Sequence, residues 1–336
     1  MIVRNITVCS MLLVLIGAAG CSASGLGRHY PSPEAAVDSL VAALRTNNTA
    51  ELKSIFGPSG DQIISSGDPV ADKAQVDHFL TNYDAKHQFQ AQPDGSTTLL
   101  IGDQDWPFPV PIVKVDGGVA FNAAAGEEEI LNRRVGRNEL ATEQVCLAIV
   151  DAQREYAQMR PMGGALREYA QKLVSDPGKK NGLYWPTNEG EPPSPMGPLI
   201  ANAAAEGYGK AGDDKAGDDK SGNDKPGQRP YHGYYYRLLT SQGPNATGGA
   251  EDYMVNGQLI GGFAIVAYPA IYGNSGVMTF MTNHDGILYE RDLGEDTTRL
   301  AKAITAYDPG PEWKRSDVDA DAAAAAAAHA DEPARK

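Results

Sequence analysis

Apolar residues change their spacing along this chain, and the changes divide it. From Pro33, the run PEAAVDSLVAALRTN sets Ala36, Val37, Leu40, Val41 and Leu44 on one side of a helix, with proline at its first position. AELKSIF, ending at Gly57-Pro58, predicts a second short helix. VDHFLTNYD predicts a third, with Val76, Phe79, Leu80 and Tyr83 on one face. Extended segments follow: HQFQAQ, STTLLIG, PIVKV and GVAFNA, the last two joined through Asp116-Gly117-Gly118. Residues 126–137, GEEEILNRRVGR, are polar and read as a connector carrying a short helix. Between Asn138 and Met159 the helical period returns, with Val145, Ile149, Ala152, Tyr156 and Met159 in one stripe. Asn138 stands where an N-cap belongs, Glu139 suits the first turn, and Arg160-Pro161 stops the helix.

Beyond that helix, GALREYAQKLV predicts another, closed by Ser175-Asp176-Pro177-Gly178. Lys179–Pro198 reads as a loop anchored by Leu183, Tyr184 and Trp185, and PLIANAAAEG as a short helix. Three near-copies of a five-residue unit, AGDDK-AGDDK-SGNDK, then span Ala211–Lys225. They hold no apolar side chain larger than alanine and build no core, so 209–229 is expected to be a flexible insertion. HGYYYRLLTS, DYMV, QLIGGFAIVAY, GVMTFMTN and ILYERDL are strands by their aromatic and branched content. Asn256-Gly257 and His284-Asp285-Gly286 supply hairpin chemistry, because both kinds of turn tolerate positive φ. EDTTRLAKAITAY predicts a closing helix, and residues 308–336 a disordered tail.

The expected class is α+β. N-terminal helices and a curved antiparallel sheet occupy 33–125; a long helix on a C-terminal antiparallel sheet occupies 138–307. The stripe from Val145 is expected to pack on the sheet formed by residues 233–291. At 336 residues with 42% hydrophobic content, the chain can build two cores. A formal charge of −14 makes nucleic acid a poor partner.

The first residues change the picture of where this protein works. One charged side chain, Arg4, precedes the apolar run MLLVLIGAAG. That run is shorter than the roughly 20 residues needed to span a bilayer, so residues 1–20 read as a secretory signal peptide. Ala18-Ala19-Gly20-Cys21 resembles the lipobox of bacterial lipoproteins, with Ala18 where leucine is usual. The resemblance implies lipidation at Cys21, a tether over 21–32, and a membrane partner reached through the lipid. Ser22, being other than aspartate, is compatible with sorting to the outer membrane, so the expected location is periplasmic and lipid-anchored. Cys9 leaves with the signal, and Cys146 is left as a small buried hydrophobe with no disulfide partner.

SSGDPVAD (65–72), DWPFPVPIVK (105–114), AAGEEEILNRRVGRNEL (124–140) and DAQREYA (151–157) carry a resemblance, as do DPGKKNGLYWP (176–186) and SPMGPLIANAAAEGY (194–208). PYHGYYYRLLTSQGP (230–244) and YGNSGVMTFMTNHDG (272–286) complete it. Through them the chain resembles the bacterial domain-of-unknown-function family 2950 over residues 32–313, a resemblance that implies no activity. Ser32 to Ala125 also resembles nuclear-transport-factor-two-like (cystatin-like) cones. AIVDAQREYA, GYYYRLL and NHDGILY resemble the globular half of pilins and pseudopilins, without their apolar membrane-anchoring half-helix.

Candidate chemistry is sparse. Ser275, within Gly273-Asn274-Ser275-Gly276, with His232, His284 and Asp285, offers the residue types of a serine hydrolase. The glycines are more simply explained as a bend between strands. Trp106 and Phe108 offer a ligand-binding aromatic wall; the favoured alternative is a Pro-locked edge strand with Trp106 plugging the core. Glu127, Glu128 and Glu129 fit a solvated helix start. Asp213, Asp214, Asp218, Asp219 and Asp224 lack the ligand spacing of a calcium loop, and no metal or cofactor motif is present. On a strand, Tyr234 and Tyr236 share one face and Tyr235 takes the other. The expected function is a non-enzymatic binding or assembly module with an envelope protein partner. The alternatives are a periplasmic hydrolase using Ser275 and small-ligand binding in the N-terminal domain.

Overall fold

The computed structural model describes residues 26–163, 166–188, 190–206, 208 and 230–316. Residues 1–25, which hold the expected signal peptide and Cys21, the expected insertion at 209–229 and residues 317–336 lie outside the described residues. The class is α+β, with a long helix between two antiparallel sheets.

The first unit opens with α1 (Pro33–Arg45), α2 (Thr49–Phe56), α3 (Asp61–Ile64) and α4 (Pro69–Ala85). Each of the three longer helices starts on a side-chain oxygen that relieves an orphan N–H: Ser32 takes Ala35, Asn48 takes Glu51, and Asp68 takes Val70 and Ala71. Five strands follow: β1 (His87–Ala91), β2 (Thr97–Ile101), β3 (Trp106–Pro107), β4 (Ile112–Val115) and β5 (Gly118–Phe121). They pair antiparallel in the order β1-β2-β4-β5, with β3 also beside β2. Leu40, Ile55, Leu99, Ile112 and Phe121 are almost wholly buried between helices and sheet.

One helix, α5 (Ala123–Met159), then runs for 37 residues. This corrects the expected connector: 126–137 is continuous with the helix that follows, and the N-cap is Asn122, bonding Ala125 N–H at 3.2 Å. Asn138 is buried in mid-helix. The polar run hid the continuity because, although Ile130 packs on the first core, the large buried side chain that follows it is the charged Arg134. Arg160 ends α5 in the left-handed region at φ 49°, one residue before Pro161.

After α5 come β6 (Lys172–Val174), β7 (Gly182–Tyr184) and α6 (Gly197–Glu206). Of the expected helix GALREYAQKLV, the described residues 166–174 are not helical. Its backbone is drawn out by partners: Tyr169 N–H bonds Leu259 O at 2.7 Å, and the buried Gln153 amide brackets Ala170 at 2.8 and 2.9 Å. Tertiary bonding has overridden local propensity there. The remaining strands are β8 (Tyr234–Leu239), β9 (Ser241–Gln242), β10 (Glu251–Asp252), β11 (Met254–Val255) and β12 (Gln258–Leu259). They continue with β13 (Ala264–Pro269), β14 (Met278–Asn283) and β15 (Tyr289–Asp292), then α7 (Thr297–Ala303) and β16 (Lys314–Arg315). The β11–β12 turn holds Asn256 at φ 51° and Gly257 at 78°, the hairpin geometry its sequence predicts. The closing helix is shorter than expected, and 308–316 is not a tail: β16 pairs with β15 and extends the sheet.

The second sheet runs β16-β15-β14-β13-β8, all antiparallel. Register separates its faces. Tyr236 reaches α5 at Thr142 Oγ1 (3.2 Å), whereas its neighbour Arg237 reaches the carbonyls of Ala301 and Ile304 at the end of α7 (2.9 and 2.6 Å). With helices on both faces, β13 is buried at every position, which explains its unbroken apolar sequence. Val145, Ile149, Ala152 and Tyr156 of α5 share one core with this sheet, as their stripe predicts, and Cys146 beside them joins it; Met159, the last residue of the stripe, is exposed instead because it lies at the end of α5.

Candidate functional site: a polar junction between the two units

Polar side chains converge where α5 leaves the first unit and meets the end of the second sheet. The sequence supplies the parts locally. Asp68 precedes Pro69, so it caps α4 through one carboxylate oxygen (3.1 Å to both Val70 and Ala71 N–H). Its other oxygen accepts Tyr208 O–H at 2.7 Å and Gly233 N–H at 3.1 Å. His232 N–H in turn reaches the Tyr208 oxygen at 3.4 Å. Asp68 is 1% exposed, so it joins α4, the end of α6 and the start of β8 through a buried charge with all its bonds made. Asp72, one turn into α4, accepts Ser66 N–H and Ser65 O–H and folds the preceding loop onto the helix.

From α5, buried Arg134 donates to the carbonyls of Gln62 (2.9 Å) and Ile63 (3.2 Å) and to the side-chain oxygen of Asn274. Asn274 donates onward to Ser65 O at 3.2 Å. One turn later, Asn138 donates to Ser275 O at 2.9 Å. Glu139 accepts the N–H groups of Val277 and Met278, both at 2.9 Å. Two consecutive turns of α5 therefore hold the 271–278 loop, and the first also holds the first unit.

Burial shapes the electrostatics. Burial lowers the pKa of Arg134 and of Arg137, in each case against the opposing pull of Asp72. It raises Tyr208, with the bond to Asp68 adding to the shift, and pushes Tyr231 up to about 12. His232 is lowered from its ordinary 6.5 by burial, with Glu206 opposing. Tyr208 and Tyr231 meet edge to face at 4.9 Å, and the His232 ring lies 4.1 Å from Tyr231.

Ser275 is 0% exposed, and its hydroxyl is fully used: it accepts Ile271 N–H at 2.9 Å and donates to Ile271 O at 3.1 Å. It pins the bend it sits in. His232 lies on the neighbouring segment, yet its imidazole faces Glu206 (Nε2 to Oε2, 3.6 Å), and no bond joins it to Ser275 among the described residues. His284 sits past the other end of β14, whose six residues span about 20 Å, with its ring edge-on to Tyr253. The structure does not bring Ser275, His232 and His284 together.

Trp106 is 41% exposed, with the Arg133 guanidinium 4.9 Å over its ring, so it does not plug the core. Phe108 packs inward against Phe79 (5.3 Å) and Phe121 (6.4 Å), in surroundings different from those of Trp106. A cleft of about 340 Å³ lies elsewhere, between α5 and the 273–277 loop, floored by Leu131, Val135 and Val277 and rimmed by Glu127 and Glu128. Cys146 is buried, and burial raises its thiol pKa, the opposite of a nucleophile's requirement. Among the described residues, no group of three or more His, Cys, Asp or Glu could hold a metal ion. None of their helices is long and apolar enough to cross a membrane.

The fold and this junction define an α+β protein with two five-stranded sheets, whose convergent polar groups act as a joint. The chain belongs to the family described as Protein of unknown function (DUF2950), which matches residues 27–316. No curated protein and no solved structure matches it, and the cystatin-like and pilin-like likenesses are not confirmed. Asp68, Tyr208, Arg134, Asn274 and Glu139 went unrecognised as a site because each is an ordinary polar residue in its own segment. A signal was nevertheless present: SSGDPVAD, NRRVGRNEL, AAAEGY, PYHGYYY and YGNSGVM, all among the family phrases, meet at this one place.

Proposed function

We propose that this protein is an exported, lipid-anchored module of the bacterial cell envelope that binds or assembles with another envelope protein and performs no turnover. The observation that carries the non-enzymatic part is the state of the junction. Its central polar atoms, the Ser275 hydroxyl included, are already bonded to the protein's own backbone and side chains. A nucleophile needs a free, activated oxygen beside a base, and Ser275 offers neither. Export and anchoring rest on the N-terminal sequence ending at Cys21.

The test uses intact cells. Photo-cross-linkers placed at exposed Leu166 and Val255 are expected to trap one defined protein adduct, and repeated failure from both positions would overturn the binding reading. A fluorophosphonate probe should leave the chain unlabelled. Labelling lost in Ser275→Ala would instead establish the hydrolase reading.

A further inference from the structure

The described chain begins at Leu26 and is pinned almost at once. Gly27 sits against the backbone of Ile55 and Gly57, where a Cβ would fall 2.0 Å from Ile55 O. Arg28 N–H bonds Ser54 O at 2.9 Å and its guanidinium pairs with Glu51; Tyr30 exchanges two 2.8 Å backbone bonds with Val119 of β5. The described chain therefore starts at a fixed point, beside the C-terminal end of α2 and the β4–β5 turn. From Cys21 to Leu26 is five residue steps, at most about 18 Å of fully extended chain.

We infer that the corner formed by the end of α2 and the β4–β5 turn is the surface that faces the lipid bilayer, and that α5 carries the far end of the second unit away from it. This rests on the lipidation of Cys21 proposed above. A lipid in the bilayer at Cys21 holds Leu26 within about 18 Å of the headgroups, too short a leash for the protein to present an arbitrary face. The corner is close to charge-balanced: Arg28 pairs with Glu51 and Lys53 with Asp61 (2.9 Å). The chain as a whole carries −14, so an anionic bilayer repels the remainder and disfavours a molecule lying flat. The 25 helical residues between Arg134, which touches α3, and Met159 then set the far end about 38 Å along α5. Met159, Met162, Leu166 and Val255, all exposed, lie in the segments at that end. Gln171 and Glu168 tie the chain after α5 to the β11–β12 hairpin.

The full-length lipoprotein, matured in cells and purified from membranes, is labelled with a fluorophore at Lys53→Cys, Asp116→Cys or Val255→Cys. Cys146 is buried and remains unlabelled. Each protein is placed in vesicles of zwitterionic and anionic lipid containing a fraction of nitroxide-headgroup lipid. Quenching is expected at positions 53 and 116, with emission from 255 unchanged. Equal quenching at 53 and 255 overturns the orientation, and so does quenching at 255 alone. Mass spectrometry of the N-terminal peptide separates the two claims. A chain without lipid on Cys21 overturns the anchored reading and this inference with it, whereas a lipidated chain with the wrong quenching pattern overturns the orientation alone.

Discussion

The two halves of α5 do the same mechanical job by opposite chemistry. Its C-terminal half lays Val145, Ile149, Ala152 and Tyr156 into the core of the second sheet, where burying a side chain such as Val145 or Ile149 stabilises by about 1.5–3 kcal/mol. Its N-terminal half meets the first unit and the 271–278 loop through Arg134, Asn138 and Glu139, each bonded to backbone atoms fixed by their own loops. Apolar packing tolerates small shifts and is non-directional. Hydrogen bonds from a guanidinium to two successive carbonyls specify one position and one angle. The apolar half thus supplies most of the stability, and the polar half sets the geometry between the two units.

That division can be broken in order of expected size. Ile149→Ala should lower unfolding free energy by about 2–5 kcal/mol, measured by urea denaturation, with all probes still reporting one transition. Arg134→Ala strips the buried carbonyls of Gln62 and Ile63 and the Asn274 oxygen of their donor. A loss of about 1–3 kcal/mol is expected, now with far-UV dichroism and tryptophan fluorescence falling out of step as the units separate. Identical signatures for the two variants would erase the distinction drawn here. Asn122→Ala removes the α5 cap and should cost about 1 kcal/mol without uncoupling the units.

The smallest effect is a pH dependence at the junction. His232 titrates below 6.5 when folded because it is buried, so over that window the unfolded chain binds the proton more readily. Its contribution to stability is therefore undiminished above about pH 6.5 and erodes as pH falls below it. Comparing Tm between pH 7.5 and 5 should show a smaller decline for His232→Gln than for the parent; equal declines would remove His232 from the joint's electrostatics.

Legibility followed the same split. The β11–β12 turn was readable because Asn256-Gly257 has few other uses, and the faces of β8 because side chains on a strand alternate: Tyr234 and Tyr236 are buried while Tyr235 meets Tyr268 at 5.6 Å on the other face. The start of α5 was not readable. Asn138 imitates an N-cap, and a helix face built from Arg134 and Asn138 shows no apolar period. GALREYAQKLV has helical spacing, but its bonds to Leu259 and Gln153 come from elsewhere in the chain. Trp106 has the composition of a core residue and the position of an edge.

By itself, the sequence determined the α+β class, the strand-rich second half, the inward stripe of α5 and the tight turns. All of these follow from local periodicity and backbone preference, which act between near neighbours. Only the tertiary structure decided that α5 is one continuous helix, that 308–316 completes a sheet, and that Ser275 pins a bend. It also decided that Asp68, Arg134, Asn274 and Glu139 form one joint. The joint in particular depends on which polar groups meet after the chain has folded back across 72 to 165 residues, and a hydrogen bond over that separation leaves no period in the sequence.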